Sequence, residues 1–173
     1  MASSKLCLVL LLVMFTCSQS ANEQQKETTV TLYFQTLVAG PNATIVTVTG
    51  IPGKVWAMNS FGTVLGVDDP LTEGLSGGSA PVGRGQGMLV NTASDGSAVY
   101  LLLSIVFTNK EYNGSTIEIQ GVSRPTSNGV VEVPVVGGTG MFRFGKGYAT
   151  LEAAYLDPRR GYAVTRCKIT LQI

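Results

Sequence analysis

From residue 29 to residue 173 the chain reads as short runs of period two separated by turn residues, and no stretch makes a convincing amphipathic helix. Val30, Leu32 and Phe34 alternate with Thr31, Tyr33 and Gln35 across residues 29–36. At the far end Ala163, Thr165, Cys167, Ile169, Leu171 and Ile173 alternate with Val164, Arg166, Lys168, Thr170 and Gln172. Strand-like runs at 43–49, 61–67, 87–92, 97–108, 116–121, 130–135 and 142–154 fill the interval. Gly40-Pro41-Asn42, Ile51-Pro52-Gly53, Ser94-Asp95-Gly96 and Asn128-Gly129 punctuate them at hairpin spacing. With 21 glycines and this rhythm, a closed antiparallel barrel is expected ahead of a sandwich, because closure leaves no exposed edge. One run, AVYLLLSIVF at 98–107, is apolar on both faces, so one face needs a cover other than the core. A subunit interface is the expected cover.

The first 20 residues stand apart. Lys5, an apolar core at 6–16 and the small residues of Ser18-Gln19-Ser20 have the form of a secretory signal peptide, too short to span a membrane. Cleavage after Ser20 is expected, leaving a single secreted domain over 21–173. Loss of Lys5 takes the net charge from +1 to 0 (+1 − 1). Scattered lysines and arginines with no basic stripe argue against nucleic acid and membrane as partners. Cys7 and Cys17 leave with the signal, so Cys167 stands alone on an apolar-facing position and reads as a buried thiol. The chain has no histidine, which excludes Ser-His-Asp and Cys-His sites and His-ligated zinc; no metal site is expected. Asn42-Ala43-Thr44 and Asn113-Gly114-Ser115 are sequons, with Asn113-Gly114 also suited to a tight turn.

Two segments concentrate polar chemistry beside strands. Residues 61–87, FGTVLGVDDPLTEGLSGGSAPVGRGQG, carry Asp68, Asp69, Arg84 and Gln86; residues 134–149, PVVGGTGMFRFGKGYA, carry Arg143. Asp68, Asp69, Arg84 and Gln86 are candidate pocket groups, with Tyr33, Tyr100, Phe107 and Phe144 as candidate aromatic walls. Each has a plainer role open to it. Asp69-Pro70 can start a turn, Asp68 and Arg84 can form a structural ion pair, and the aromatics can be core. Gly83, Gly85 and Gly87 lack the lysine and helix of a phosphate loop, so they read as a bulge or bend. Gly137-Gly138-Thr139-Gly140 reads as a turn.

The succession of VAGPNAT at 38–44, VDDPLTEG, PVGRGQG, FTNKEYNGST and PVVGGTGMFRFGKGYA closely resembles the plant dirigent protein family, over nearly the whole chain from residue 32. The resemblance implies an eight-stranded antiparallel barrel, commonly a homotrimer although a dimer is possible, with a pocket in each barrel. It also implies an apoplastic protein without an oxidative centre or cofactor of its own. A separate laccase or peroxidase would generate phenoxy radicals, and this protein would steer their coupling. Some family members are instead dehydratases that form a ring or quinone methide from an isoflavanol-type alcohol, and a non-selective phenol binder is a third possibility. The chain departs from the family at Gln35-Thr36, where many relatives have His-Asp, at Val131 before Glu132, where many have arginine, and at Ser123, near a common aspartate. A less acidic pocket is expected, with radical steering favoured over acid-base catalysis.

Overall fold

The computed structural model describes residues 27–49, 59–124 and 127–173, so the expected signal peptide and the 51–53 turn lie outside the described residues. Nine strands follow in order: β1 (Glu27–Leu37), β2 (Ile45–Thr49), β3 (Val64–Thr72), β4 (Pro81–Asn91), β5 (Val99–Phe107), β6 (Thr116–Ser123), β7 (Val131–Thr139), β8 (Lys146–Asp157) and β9 (Tyr162–Gln172). A single turn of 3-10 helix, Gly140–Phe142, joins β7 to β8. Each strand pairs antiparallel with its neighbours in the order β1-β9-β8-β7-β6-β5-β4-β3-β2, and a further β1–β3 pairing closes the ring.

Closure makes nine segments into an eight-stranded barrel. β1 and β2 lie end to end along one edge of β3: Tyr33 and Phe34 face Thr72 and Leu71, whereas Ile45 to Thr49 face Val67 to Val64. The 38–44 loop is therefore an interruption in one composite strand. Residues 68–70 of β3 fall in this gap, where Asp68 N–H donates to Thr44 C=O at 2.8 Å. That gap explains why Asp69-Pro70 continues a strand although its composition suggested a turn. Proline is tolerated where a ladder is already broken.

One other turn expectation shifts for steric reasons. Gly137 and Gly138 belong to β7, and the chain reverses only at Gly140. A Cβ on Gly138 would lie 2.7 Å from the Thr116 carbonyl oxygen, so this close approach, more than a turn, requires glycine there. The Gly83–Gly87 run lies in β4 with the expected bulge beside it, where the β3–β4 register slips between Leu71–Gly83 and Thr72–Pro81, and a Cβ on Gly83 or Gly87 would come within 2.0 Å of a β5 carbonyl oxygen.

The inward rows make the core: Val30, Leu32 and Phe34 on β1, Leu101, Leu103, Ile105 and Phe107 on β5, and Cys167, Ile169 and Leu171 on β9. One end is plugged. Phe107, Tyr112 and Phe142 form a triangle of rings with centroids 5.2 Å apart, which excludes ligand from that end. Burial pushes the Cys167 thiol up to about 12, so it is a packed, un-ionised group. On the outer face of β5, Tyr100, Leu102, Ser104 and Val106 are half-buried. Exposed Met88, Val122 and Val136 stand on neighbouring strands.

Candidate functional site

The end opposite the aromatic plug is open among the described residues. A cavity of about 330 Å³ enters the barrel there, walled by Phe34, Ile45, Val67, Leu89, Leu101, Leu103, Val131 and Leu151. An eight-stranded barrel has room for one small ligand when side chains do not fill it, and this volume sits at the lower end of small-molecule pockets. Its polar groups are few: Thr36, Asp69, Ser123 and Thr165, with Glu152 at the margin. Glu152 is ion-paired with Arg166 across β8 and β9, and Arg166 is exposed on the outside of the barrel. No lysine or arginine lines the cavity among the described residues.

Asp69 is the centre of this site. It shares the inward row of β3 with Val67 and Leu71, and only 3% of it is exposed. Thr36 Oγ1 donates to its Oδ2 at 2.6 Å and Thr44 Oγ1 to its Oδ1 at 2.5 Å. Thr44 in turn accepts the Leu37 N–H at 2.9 Å, which pins the 38–44 loop to the end of β1. Burial raises the carboxyl above its ordinary range, and the two threonine hydroxyls, which favour the anion, pull it partly back. The result is a carboxyl able to hold or release a proton inside an apolar chamber.

Its neighbour Asp68 points the other way. On the outer face of the β3–β4 pair, Arg84 Nε donates to Asp68 Oδ1 at 2.8 Å and an Arg84 Nη to the Asp68 carbonyl at 2.6 Å. Gln86 Nε2 adds a bond of 3.1 Å to Oδ1. The hydrogen bond from Arg84 holds the Asp68 carboxyl below the usual carboxylate range. The structure thus joins Asp68, Arg84 and Gln86 as a surface ion-pair cluster and leaves all three off the cavity wall.

The aromatic candidates also fall outside the cavity. Tyr33 is half-buried on the opposite face of β1 from Phe34. Tyr100 accepts a hydrogen bond from Gln120 at 2.7 Å between outward rows of β5 and β6. Phe107 belongs to the plug, Arg143 is exposed, and Phe144 is 87% exposed with a left-handed φ of 66°. Among the described residues, Phe34 is the aromatic side chain that lines the cavity. Strand parity identifies it. The row Val30, Leu32, Phe34 continues to Thr36, and the row Val67, Leu71 includes Asp69 and excludes Asp68. Asn42 and Asn113 are both exposed. They lie on tight turns closed by Ala43 N–H to Gly40 C=O and Ser115 N–H to Tyr112 C=O.

Gln35 stands between Phe34 and Thr36 on the opposite face of β1, yet it is buried. Tyr162 donates to its Oε1, and its Nε2 donates to Thr72 Oγ1 at 2.7 Å and to Leu75 C=O at 3.4 Å. The 73–80 loop thus packs against the outer β1–β9 seam. Gln35 is a neutral strut outside the cavity. No cluster of three potential metal ligands occurs among the described residues.

Among the described residues, a closed antiparallel barrel encloses an apolar chamber with a single buried acid, a shape with room for a small ligand. Sequence comparison makes the class specific. Residues 27–172 match the family model for Dirigent-like protein, and the chain belongs to the dirigent family. It is 35% identical to pterocarpan synthase 1 of Glycyrrhiza echinata over 85% of this chain and 78% of that protein. It is 40% identical to dirigent protein 1 of Arabidopsis thaliana over 72% and 68%. Among solved structures, a pterocarpan synthase dirigent protein superposes with a TM-score of 0.76 at 35% identity, over 87% of this chain and 97% of that one.

Proposed function

We propose that each barrel binds one phenolic molecule and presents it in a fixed orientation, so that radicals generated by a separate laccase or peroxidase couple along one stereochemical course. The observation that carries this reading is Asp69, the one buried carboxyl among the described residues, facing an apolar cavity of about 330 Å³. As an anion it accepts a hydrogen bond from a phenol or alcohol; protonated, it donates to a phenoxyl oxygen. The surrounding Phe34, Leu101, Leu103 and Leu151 restrict the tilt of the ring. Radical coupling has little barrier to lower, so the task is positioning. A preference of about 1.4 kcal/mol between two geometries gives tenfold selectivity. Electrons balance without a protein redox centre: the oxidase removes one from each phenol, and two radicals share their unpaired electrons in the new bond.

Dehydration of a phenolic benzylic alcohol is the second reading, favoured by the raised pKa of Asp69 and by similarity to proteins named pterocarpan synthases. It requires one group to protonate the departing hydroxyl and another to take the phenolic proton. Asp69 is the one buried carboxylate among the cavity-lining residues; Thr36 and Ser123 stand where carboxylates would complete such a pair. This balance supports steering over dehydration. The proposal places the protein outside the cell, where the oxidases act, with sugar on Asn42 and Asn113. It also joins three copies through the half-buried outer face of β5.

Chiral chromatography of products from candidate phenols, with and without laccase, tests the reading. Enantiomeric excess confined to reactions containing laccase supports it. Conversion of an isoflavanol without oxidant would transfer the protein to the second reading.

A further inference from the structure

Thr36 and Thr44 both hydrogen-bond to Asp69, yet their surroundings are unequal. Thr44 Oγ1 already accepts the Leu37 amide hydrogen, and Asp69 Oδ1 is the acceptor for its own hydrogen among the described residues. Were Oδ1 protonated and donating to Thr44, the threonine hydrogen would be left without an acceptor in a part-buried site, which disfavours that protonation. Among the described residues the Thr36 hydroxyl has Asp69 Oδ2 as its hydrogen-bond partner, and Thr36 lines the cavity. Its hydroxyl can turn, accept from a protonated Oδ2, and offer its own hydrogen to a ligand oxygen.

We propose that Asp69 exchanges its proton through Oδ2 alone, with Thr44 holding Oδ1 as a permanent acceptor and Thr36 reversing between donor and acceptor as the proton comes and goes. This makes Thr44 a positioning residue and Thr36 a ligand-contacting one; their roles toward substrate rest on the phenol-binding reading above. When a ligand hydroxyl gives its proton to Oδ2, the Thr36 hydrogen that pointed at Oδ2 swings to the ligand oxygen left behind. One proton moves and none is lost. The charged groups near Asp69 are Asp68 on β3 and Arg84 on β4. The Glu152–Arg166 pair stands on β8 and β9, and no other titratable side chain lines the cavity among the described residues.

The two hydroxyls then have different effects on titration. Thr44 donates to Oδ1 in both states but more strongly to the anion than to the neutral carbonyl oxygen, so its removal raises the Asp69 midpoint; Thr36 reverses to meet each state with a full hydrogen bond, so its removal changes the midpoint less. The experiment is a pH titration of the aspartate carboxyl carbons by NMR in the labelled protein without substrate, with the Asp69 signal assigned by its loss in Asp69→Asn. All variants carry Asn42→Gln, because Thr44→Val also breaks the Asn42 sequon. Thr44→Val is expected to raise the midpoint by about one pH unit or more, Thr44→Ser to restore it, and Thr36→Val to move it less than half as far. Equal shifts, or a larger one in Thr36→Val, would overturn the assignment. If Thr44→Val does not fold, Thr36→Val decides alone: a rise of about one unit rejects the reversible role, and a small shift supports it. The titration involves no phenol, so the hydroxyl assignment stands or fails separately from the proposed function.

Discussion

Asp68 and Asp69 are chemically identical neighbours on one strand, and the pleat sends them into opposite environments. Asp68 is on the outside in water, held by Arg84 and Gln86; Asp69 is on the inside, 3% exposed and held by two neutral hydroxyls. Their pKa values accordingly move in opposite directions, Asp68 down through its hydrogen bond from Arg84 and Asp69 up through burial. Chemistry follows the face, because a permanently ionised surface carboxylate adds little to binding, whereas a carboxyl shielded from water makes a strong and directional contact.

The sharpest test of this division is Asp69→Asn. The amide fits the same shape, with its oxygen accepting from Thr44 and its NH2 donating to Thr36, but it cannot ionise. Loss of a hydrogen bond to a charged group costs about 1.5–3 kcal/mol, so phenol affinity should fall by about 10–100-fold and product selectivity should vanish. Isothermal titration and chiral product analysis measure both. Retained selectivity would remove Asp69 from the site.

Gly85→Ala probes the inner wall by shape. A Cβ at this position would lie 2.3 Å from the Phe34 ring, which must swing into the cavity to accommodate it. Overpacking of this kind costs about 1–3 kcal/mol, read as a lowered midpoint in urea unfolding. The narrower chamber should also select smaller phenols. Unchanged stability and ligand preference would mean that Phe34 does not set the cavity width.

The opposite pKa shifts give opposite pH dependences of stability. For Asp69 the folded value is raised. Ionisation therefore costs stability, beginning above the ordinary value of 3.8 and complete above the raised one, and acidification relieves the cost. For Asp68 the folded value is lowered, so its contribution is present above 3.8 and lost as pH falls through the lowered value. Asp69→Asn should therefore unfold at higher urea than the parent at pH 7, with the gap closing near pH 3. A gap that widens on acidification would reverse the sign assigned to Asp69.

Much of this was legible in the sequence. Alternation and turn residues located all nine strand segments and favoured a closed barrel, because inward and outward rows are written directly into period two. The same parity separates Asp69 from Asp68, and places Thr36 with Phe34, once β3 is known to run through Pro70. That continuation was hidden, since proline after aspartate looks like a turn until the gap between β1 and β2 is seen to remove the need for a donor. The Gly137–Gly140 run misled for a related reason, since Gly138 reflects close backbone approach inside β7, whereas the bulge read from Gly83–Gly87 does fall beside Gly83 in β4. Placing Phe107 in the plug and Tyr100 on the outside required knowing which end of the barrel is open and which row faces in. Thr44 has no local signal, because its partner Asp69 is 25 residues away.

The smallest expected effect belongs to Arg84→Ala, and its smallness is informative. The Arg84 and Asp68 side chains are 40% and 53% exposed, so water and salt screen their attraction. Exposed ion pairs of this kind contribute about 0–1 kcal/mol, and the urea midpoint should move within that range, less at high salt. Coupling selectivity should be unchanged, because neither side chain lines the cavity. A large loss of selectivity with an intact fold would show that the outer face of β3 transmits to the inner one. The transmitting element would be the backbone at residue 68, whose N–H bonds the Thr44 carbonyl and whose C=O accepts from Arg84. Selectivity lost together with stability would instead make the ion pair a structural support for the strand that presents Asp69.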